Sequence, residues 1–198
     1  MTFTRHTAIS VFCLFLISSL TAQVQNVRIH TDAGDIFLEL YADKAPVTVS
    51  NFLKYVDGKL YDGALFYRVV RTDNQPDKKE KIEVIQGGLI NKDSLKRMPP
   101  IIQETTDKTG IKHQDGTISM ARSTPASASS EFFICVNNQP ELNFGGNRNP
   151  DGQGFAAFGK VTKGMEIVRK IQAGKTGENE KIQLLVEPVK IMTIDRVK

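Results

Sequence analysis

Leu65-Phe66-Tyr67-Arg68-Val69-Val70 is an apolar, aromatic and β-branched run with one cation in its middle. Its composition predicts a strand. Simple alternation places Phe66, Arg68 and Val70 on one face. An arginine sharing a face with phenylalanine and valine is costly to bury unless that face lines a cleft or the arginine is paired. A surface arginine on an edge strand is the plainer alternative. Two neighbouring features sharpen the choice. Gln86 ends another apolar strand just before Gly87-Gly88, and Phe133 lies in a third, Phe132 to Val136.

Outward from this strand the chain reads as short strands joined by turns. Val24 to His30 and Ile36 to Tyr41 are strands separated by the turn Thr31-Asp32-Ala33-Gly34-Asp35, and Ile36, Leu38 and Leu40 share a buried face. Pro46 suits the first turn of a helix. Val49, Phe52, Leu53 and Val56 follow at helical spacing, and Gly58 ends the run. Thr72 to Lys81 is polar, contains Pro76 and reads as an exposed loop; Ile82 to Gln86 is strand. Asn91 to Gln114 has weak periodicity and reads mostly as loop. Thr117 to Ala121 and Ala156 to Val161 are short strands, and Asn138 to Gly154 is a loop rich in Asn, Gly and Pro. Met165 to Ile171 is a second helix, and Leu184 to Val197 a last strand broken at Pro188. About eight strands and two helices, without regular alternation, argue against a doubly wound sheet. They predict a mainly β protein, a closed or nearly closed barrel with helices capping its ends.

The chain has 198 residues, 40% apolar and 24% charged, enough for one domain with its own core. Lys and Arg total 26 against 22 acids, a net +4 spread along the chain. That excludes a strongly basic nucleic-acid arm. Three His and two Cys are too few for most all-protein zinc sites, so no metal and no cofactor is expected. Met1 to Ala22 carries Arg5 and His6 without an acid, then an apolar run from Ala8 to Ile17, then small and polar residues ending Leu20-Thr21-Ala22. This layout predicts a secretory signal peptide over residues 1–22. An uncleaved anchor is the alternative, although the apolar run is short for a bilayer. Cleavage would leave 176 of the 198 residues, a domain over residues 23–198, with charge +3. Cys13 would be lost, leaving Cys135 as the sole thiol, in a strand that reads as buried.

Three other patterns point to chemistry only weakly. Asn147-x-Asn149-x-Asp151-Gly152 imitates the start of a calcium loop, but the position due a bidentate carboxylate is Phe158. His113, Asp115 and Ser119 hint at a hydrolase, but the chain has no Gly-x-Ser-x-Gly elbow. Gly152 and Gly154 follow no buried strand and open no helix, so no dinucleotide site is expected there.

The strand phrases together resemble the cyclophilin peptidyl-prolyl isomerases. Phe66-Tyr67-Arg68-Val69-Val70 is similar to that family's Phe-His-Arg-Val-Ile, and Ile85-Gln86-Gly87-Gly88 to its Ile-Gln-Gly-Gly. Ser119-Met120-Ala121 and Glu131-Phe132-Phe133-Ile134 are similar to Ser-Met-Ala and Ser-Gln-Phe-Phe-Ile, with the family's spacing of twelve between Met120 and Phe132. Phe158-Gly159-Lys160-Val161, Gly164-Met165, Tyr41 to Pro46 and Asn51-Phe52 extend the likeness over nearly all of Val27 to Val197. The resemblance implies an eight-stranded antiparallel closed barrel capped by two helices, with a peptide cleft on its outer surface. It implies Arg68 as the catalytic arginine, Gln86 as a grip on the substrate backbone and Phe133 as the floor of a proline pocket. Val84, Leu142 and Phe155 would wall that pocket. The backbone of Ala121 and Arg122 would hold the peptide, with Glu131 and Phe66 also in contact with substrate.

The implied activity is cis-trans isomerisation of X–Pro bonds in exported or periplasmic proteins, by a non-covalent mechanism. Its partners would be proline-containing peptides and unfolded proteins, with no nucleic acid, no membrane span after cleavage and a monomeric state. A peptide-binding folding chaperone or assembly module with little turnover is the alternative. The chain departs from the family pattern at several positions. Glu83 stands for a usual Phe, Glu131 for Gln, Arg122 for Asn, and Glu141 for a Trp that contacts cyclosporin, so tight binding of that drug is not expected. Arg68 and Gln86 are 18 positions apart, about ten more than in the family. Asp73 to Lys81 is therefore an insertion, expected to form a charged rim whose deletion alters substrate preference more than fold.

Overall fold

A computed structural model describes residues 24–90, 96–179 and 182–197. The expected signal peptide, with Cys13, lies outside the described residues. Eight strands form the molecule: β1 (Gln25–Thr31), β2 (Gly34–Leu40), β3 (Leu65–Val70), β4 (Val84–Gly88), β5 (Thr117–Met120), β6 (Phe132–Cys135), β7 (Ala156–Lys163) and β8 (Leu184–Val197). They close into a barrel in the order β1-β2-β7-β5-β6-β4-β3-β8, and every neighbouring pair is antiparallel. Closure removes the unpaired edges that an open sheet would expose.

Alternation produces the core. Val27, Ile29, Ile36, Leu38 and Leu40 point inward, each 1% exposed or less. The helix α1 (Pro46–Asp57) lays Val49, Phe52, Leu53 and Val56 against the same core, as their spacing predicted. Phe52, Phe66, Phe132 and Tyr61 meet there ring to ring, with centroids 5.4 to 5.7 Å apart. The helix α3 (Met165–Gln172) buries Val168 and Ile171. The amides at the start of α1 have no local cap. Glu104, 56 residues beyond Thr48, accepts from the Val47 and Thr48 N–H groups at 3.1 and 2.8 Å and from the Thr48 hydroxyl at 2.7 Å. Among the described residues, no helix is long and apolar enough to cross a membrane.

Four local expectations are corrected. Phe66 does not share a face with Arg68: the β3–β4 register slips between them, so Phe66 pairs with Gly87 and Arg68 with Gln86. This bulge turns Phe66 into the barrel and leaves Arg68 and Val70 outside. Gly87 permits it, since a Cβ there would stand 2.8 Å from the Phe66 ring. Second, the stretch read as loop contains a single helical turn, α2 (Thr106–Thr109). Third, β8 runs through Pro188 with a bulge: β3 pairs with it at Leu184 and again at Val189 and Lys190, and Leu184 to Val186 also lie against Lys175 to Gly177. Fourth, the loop Thr72 to Lys81 is exposed only in part. Asn74 and Gln75 are 3% and 2% exposed. The Asn74 amide donates to the Val69 and Ile182 carbonyls at 3.1 and 3.2 Å, and Gln75 donates to those of Arg71 and Ile82 at 2.7 and 2.8 Å. Both side chains supply hydrogen bonds that the irregular backbone cannot supply to itself.

Candidate active site

A cleft of about 650 Å³ lies on the outer side of β3, β4 and β6. Its lining brings together Arg68, Val84, Gln86, Ala121, Arg122, Glu131, Phe133, Leu142 and Phe155. Phe66 alone among the expected site residues is not there; it is fully buried in the barrel.

The Arg68 guanidinium is held by neutral amides. Its Nη1 donates to Gln86 Oε1 at 2.6 Å, while Nε (3.0 Å) and Nη2 both donate to Gln183 Oε1. Three of its five N–H groups are thus committed and two are left for a ligand. Burial pushes its pKa down, opposed by the neighbouring Tyr67, but a guanidinium stays charged near neutrality. The Gln86 amide donates onward to the Tyr67 hydroxyl at 2.8 Å, which donates to Glu131 Oε2 at 2.7 Å. Burial, then the Glu131 carboxylate, raise the Tyr67 pKa, so the phenol stays protonated. On the other side Gln183 Nε2 donates to the Asn74 carbonyl at 2.9 Å. The catalytic-arginine candidate is therefore wired to the insertion.

Beside Arg68 sits an apolar cluster separate from the barrel core. Val70, Ile82, Val84, Phe133, Cys135 and Leu142 form it, with Ala121 and Phe155 packed on its edge. Phe155 stands edge-on to Phe133, centroids 5.3 Å apart. Arg122 fixes Phe155 rather than presenting a free charge. Its guanidinium lies 5.1 Å from the Phe155 ring centre, pairs with both Asp151 oxygens at 2.8 Å and donates to the Gly154 carbonyl. Those bonds hold the Asp151 carboxyl down at a pKa of about 2. They also occupy the one carboxylate of the calcium-like stretch.

Beneath Phe133 lies His113, stacked at 5.9 Å and 16°. His113 Nδ1 lies 3.0 Å from Asn143 Oδ1 and Nε2 lies 3.0 Å from Ser119 Oγ. With an amide oxygen as acceptor, Nδ1 carries the proton and Nε2 accepts from the serine. The order Ser119–His113–Asn143 imitates a hydrolase triad. Ser119 and His113 are 0% and 1% exposed, however, and roofed by Phe133, so no acyl group can reach the hydroxyl. Burial lowers the His113 pKa to about 4, keeping it neutral. The set is a polar floor under the aromatic pocket.

Glu131 is anchored by three donors: Tyr67 Oη, the Ile90 N–H at 3.1 Å and Ser130 Oγ at 3.1 Å. Arg97 approaches it at 3.6 Å. Glu83, the other acidic departure, turns away and accepts from Asn137 at 2.8 Å. The residues that sequence reading missed are Tyr67, Gln183, Arg97 and Arg148. Tyr67 was hidden by the bulge, and Gln183 by its distance along the chain. The signal for Gln183 was the need of an outward-facing arginine for a neutral partner.

The sequence model of the family described as cyclophilin type peptidyl-prolyl cis-trans isomerase matches residues 26–196. The chain is 37% identical to "Peptidyl-prolyl cis-trans isomerase cyp18" of Streptomyces antibioticus, over 85% of this chain and 96% of that protein. It is 36% identical to "Peptidyl-prolyl cis-trans isomerase B" of Escherichia coli, over 77% of this chain and 87% of that one. A solved cyclophilin-type isomerase from Cryptosporidium parvum superposes with a TM-score of 0.68 at 22% identity, covering 89% of this chain and 99% of its own. The same protein was also solved in the presence of the dipeptide Ala-Pro, with TM-score 0.68 at 23% identity over 88% of this chain and 99% of that one.

Proposed function

This chain belongs to the cyclophilin-type peptidyl-prolyl cis-trans isomerases, and on that premise we propose that Arg68 and the Phe133 pocket carry its isomerase activity on exported proteins. Rotation about a peptide bond is opposed by resonance, with a barrier of roughly 18–20 kcal/mol. At X–Pro both isomers are populated and exchange over tens of seconds or longer. The catalyst need form no covalent bond. It need only favour the twisted amide, in which the prolyl nitrogen recovers its lone pair.

The observation that carries this reading is the state of Arg68: fastened by Gln86 and Gln183 beside an apolar pocket, with two N–H groups uncommitted and no carboxylate partner among the described residues. Fixed donors act most strongly where water is displaced and need no reorganisation as the amide twists. Phe133, Val84, Leu142 and Phe155 hold the proline ring while the rest of the amide turns about it. Gln86 and the Ala121–Arg122 backbone hold the flanking chain. No proton moves, so the depressed pKa of His113 and the raised one of Tyr67 serve structure. Protease-free exchange NMR on an X–Pro peptide tests the assignment. Arg68→Ala is expected to lose about 2–4 kcal/mol of transition-state stabilisation, and equal turnover in the two proteins would remove Arg68 from the mechanism.

Residues 1–22, with their basic front, apolar run and small-residue end, support export to the periplasm with cleavage after Ala22. Mass spectrometry of the mature N-terminus checks this: a chain starting at Gln23 is expected, and one retaining Ala8 to Ile17 would count against it.

A further inference from the structure

The cleft is lopsided in charge. Arg68, Lys78, Arg97, Arg122 and Arg148 line it, with Glu131 as its one acid. Two of the cations are answered locally, Arg122 by Asp151 at 2.8 Å and Arg97 by Glu131 at 3.6 Å. Arg68, Lys78 and Arg148 have no carboxylate partner among the described residues. Arg148 bridges two loops. Its Nη1 donates to the Glu80 carbonyl of the insertion at 2.6 Å, which leaves four of its five N–H groups. Between those loops a second groove of about 410 Å³ opens, lined by Lys78, Lys79, Glu80, Asn147, Arg148 and Pro150. It shares Lys78 and Arg148 with the main cleft, so the peptide site continues into it. Its own balance is three cations against Glu80, whose side chain is 29% exposed and lies 3.8 Å from Lys79.

Such an excess of positive charge in a groove attracts an anion. Arg148 is half-buried and feels the charge of Arg68, and together these push its pKa down. A carboxylate beside Arg148, on its Lys78 side, would offset that repulsion and leave the Arg68 N–H groups free, in a site partly screened from water where Coulomb attraction exceeds its bulk value. We propose that the Arg148–Lys78 end of the cleft is a subsite for an acidic side chain, so that this isomerase prefers segments carrying Asp or Glu near the proline. An extended chain advances about 3.3 Å per residue, which places the acid within a few residues of the ring. The proposal rests on the isomerase reading of the cleft and names the substrate class for it.

The test uses five Ala-Pro peptides: one neutral, and four with Glu or Lys placed on either flank. NMR titration gives each affinity, and exchange spectra give turnover separately. In the wild-type protein at low salt, the Glu peptide of one flank is expected to bind about fivefold or more tightly than its Lys counterpart. Salt should narrow that ratio. Arg148→Gln and, separately, the exposed Lys78→Gln should each cut it at least twofold. Equal affinity for Glu and Lys peptides on both flanks would overturn the subsite. So would a ratio untouched by either substitution. A Glu preference without turnover would support the subsite while overturning the isomerase reading.

Discussion

Arg68, the proposed catalytic residue, shows how much of such a role is supplied by a side chain's surroundings. A guanidinium half-buried beside a pocket would ordinarily attract a carboxylate, and a carboxylate there would satisfy the donors that substrate needs. Gln86 and Gln183 orient the same fork with amide oxygens and leave it able to receive a ligand. His113 plays the corresponding part under the pocket floor, and its burial gives a pH signature. Burial holds its pKa in the folded protein at about 4, against about 6.5 for an ordinary imidazole. Between those values the unfolded chain binds a proton that the folded chain refuses, so stability rises with pH across that window. The contribution is complete above about pH 6.5 and is lost as pH falls through about 4. Over the whole window it amounts to about 3 kcal/mol. The stability gap between wild type and His113→Gln, from urea titrations, should shrink by roughly that amount from neutral to acid pH. A constant gap would mean that His113 is not held neutral by burial.

At the scale of elements, the bulge in β3 and the insertion after it shape the site. Alternation alone assigns Phe66 and Arg68 to one face, and it fails because one extra residue enters the strand at Tyr67. Period-2 patterning was otherwise a good guide: it found the barrel strands and the buried face of β2. It could not foresee bonds made across long stretches of chain, such as Glu104 on the start of α1 or Gln183 on Arg68. The insertion illustrates the same limit. Its polarity suggested a rim, yet Asn74 and Gln75 serve as internal struts, and the Asn74 carbonyl holds Gln183. Deleting Asp73–Lys81 is therefore expected to destabilise the fold by several hydrogen bonds, each net about 0.5–1.5 kcal/mol, as well as to weaken activity. Replacing only Lys78, Lys79 and Lys81 with Ser should leave the melting temperature nearly unchanged. Calorimetry of the two variants separates strut from rim: a deletion as stable as wild type would return the insertion to a plain surface loop.

At the scale of the whole molecule, barrel closure gives two apolar clusters with different tasks. The interior, from Val27 to Ile194, holds the fold, while the outer group around Phe133 is the pocket. The strand phrases made the barrel legible in the sequence, and their resemblance to the family brought most of the residues now lining the cleft into view. Which side of the sheet each residue faces depends on closure and register, properties no single phrase contains. Cys135 belongs to the outer cluster but is 0% exposed, and burial raises its thiol pKa. Only the thiolate reacts readily, so alkylation requires the barrel wall to open. In a chain without Cys13, labelling of Cys135 in native buffer should be slower than that of a free thiol by about the global unfolding constant. Added denaturant should accelerate it along the equilibrium unfolding curve. Labelling that keeps a low, denaturant-independent barrier would show instead that β6 frays locally beneath the pocket. In that case the rigid floor proposed for the proline ring would not exist.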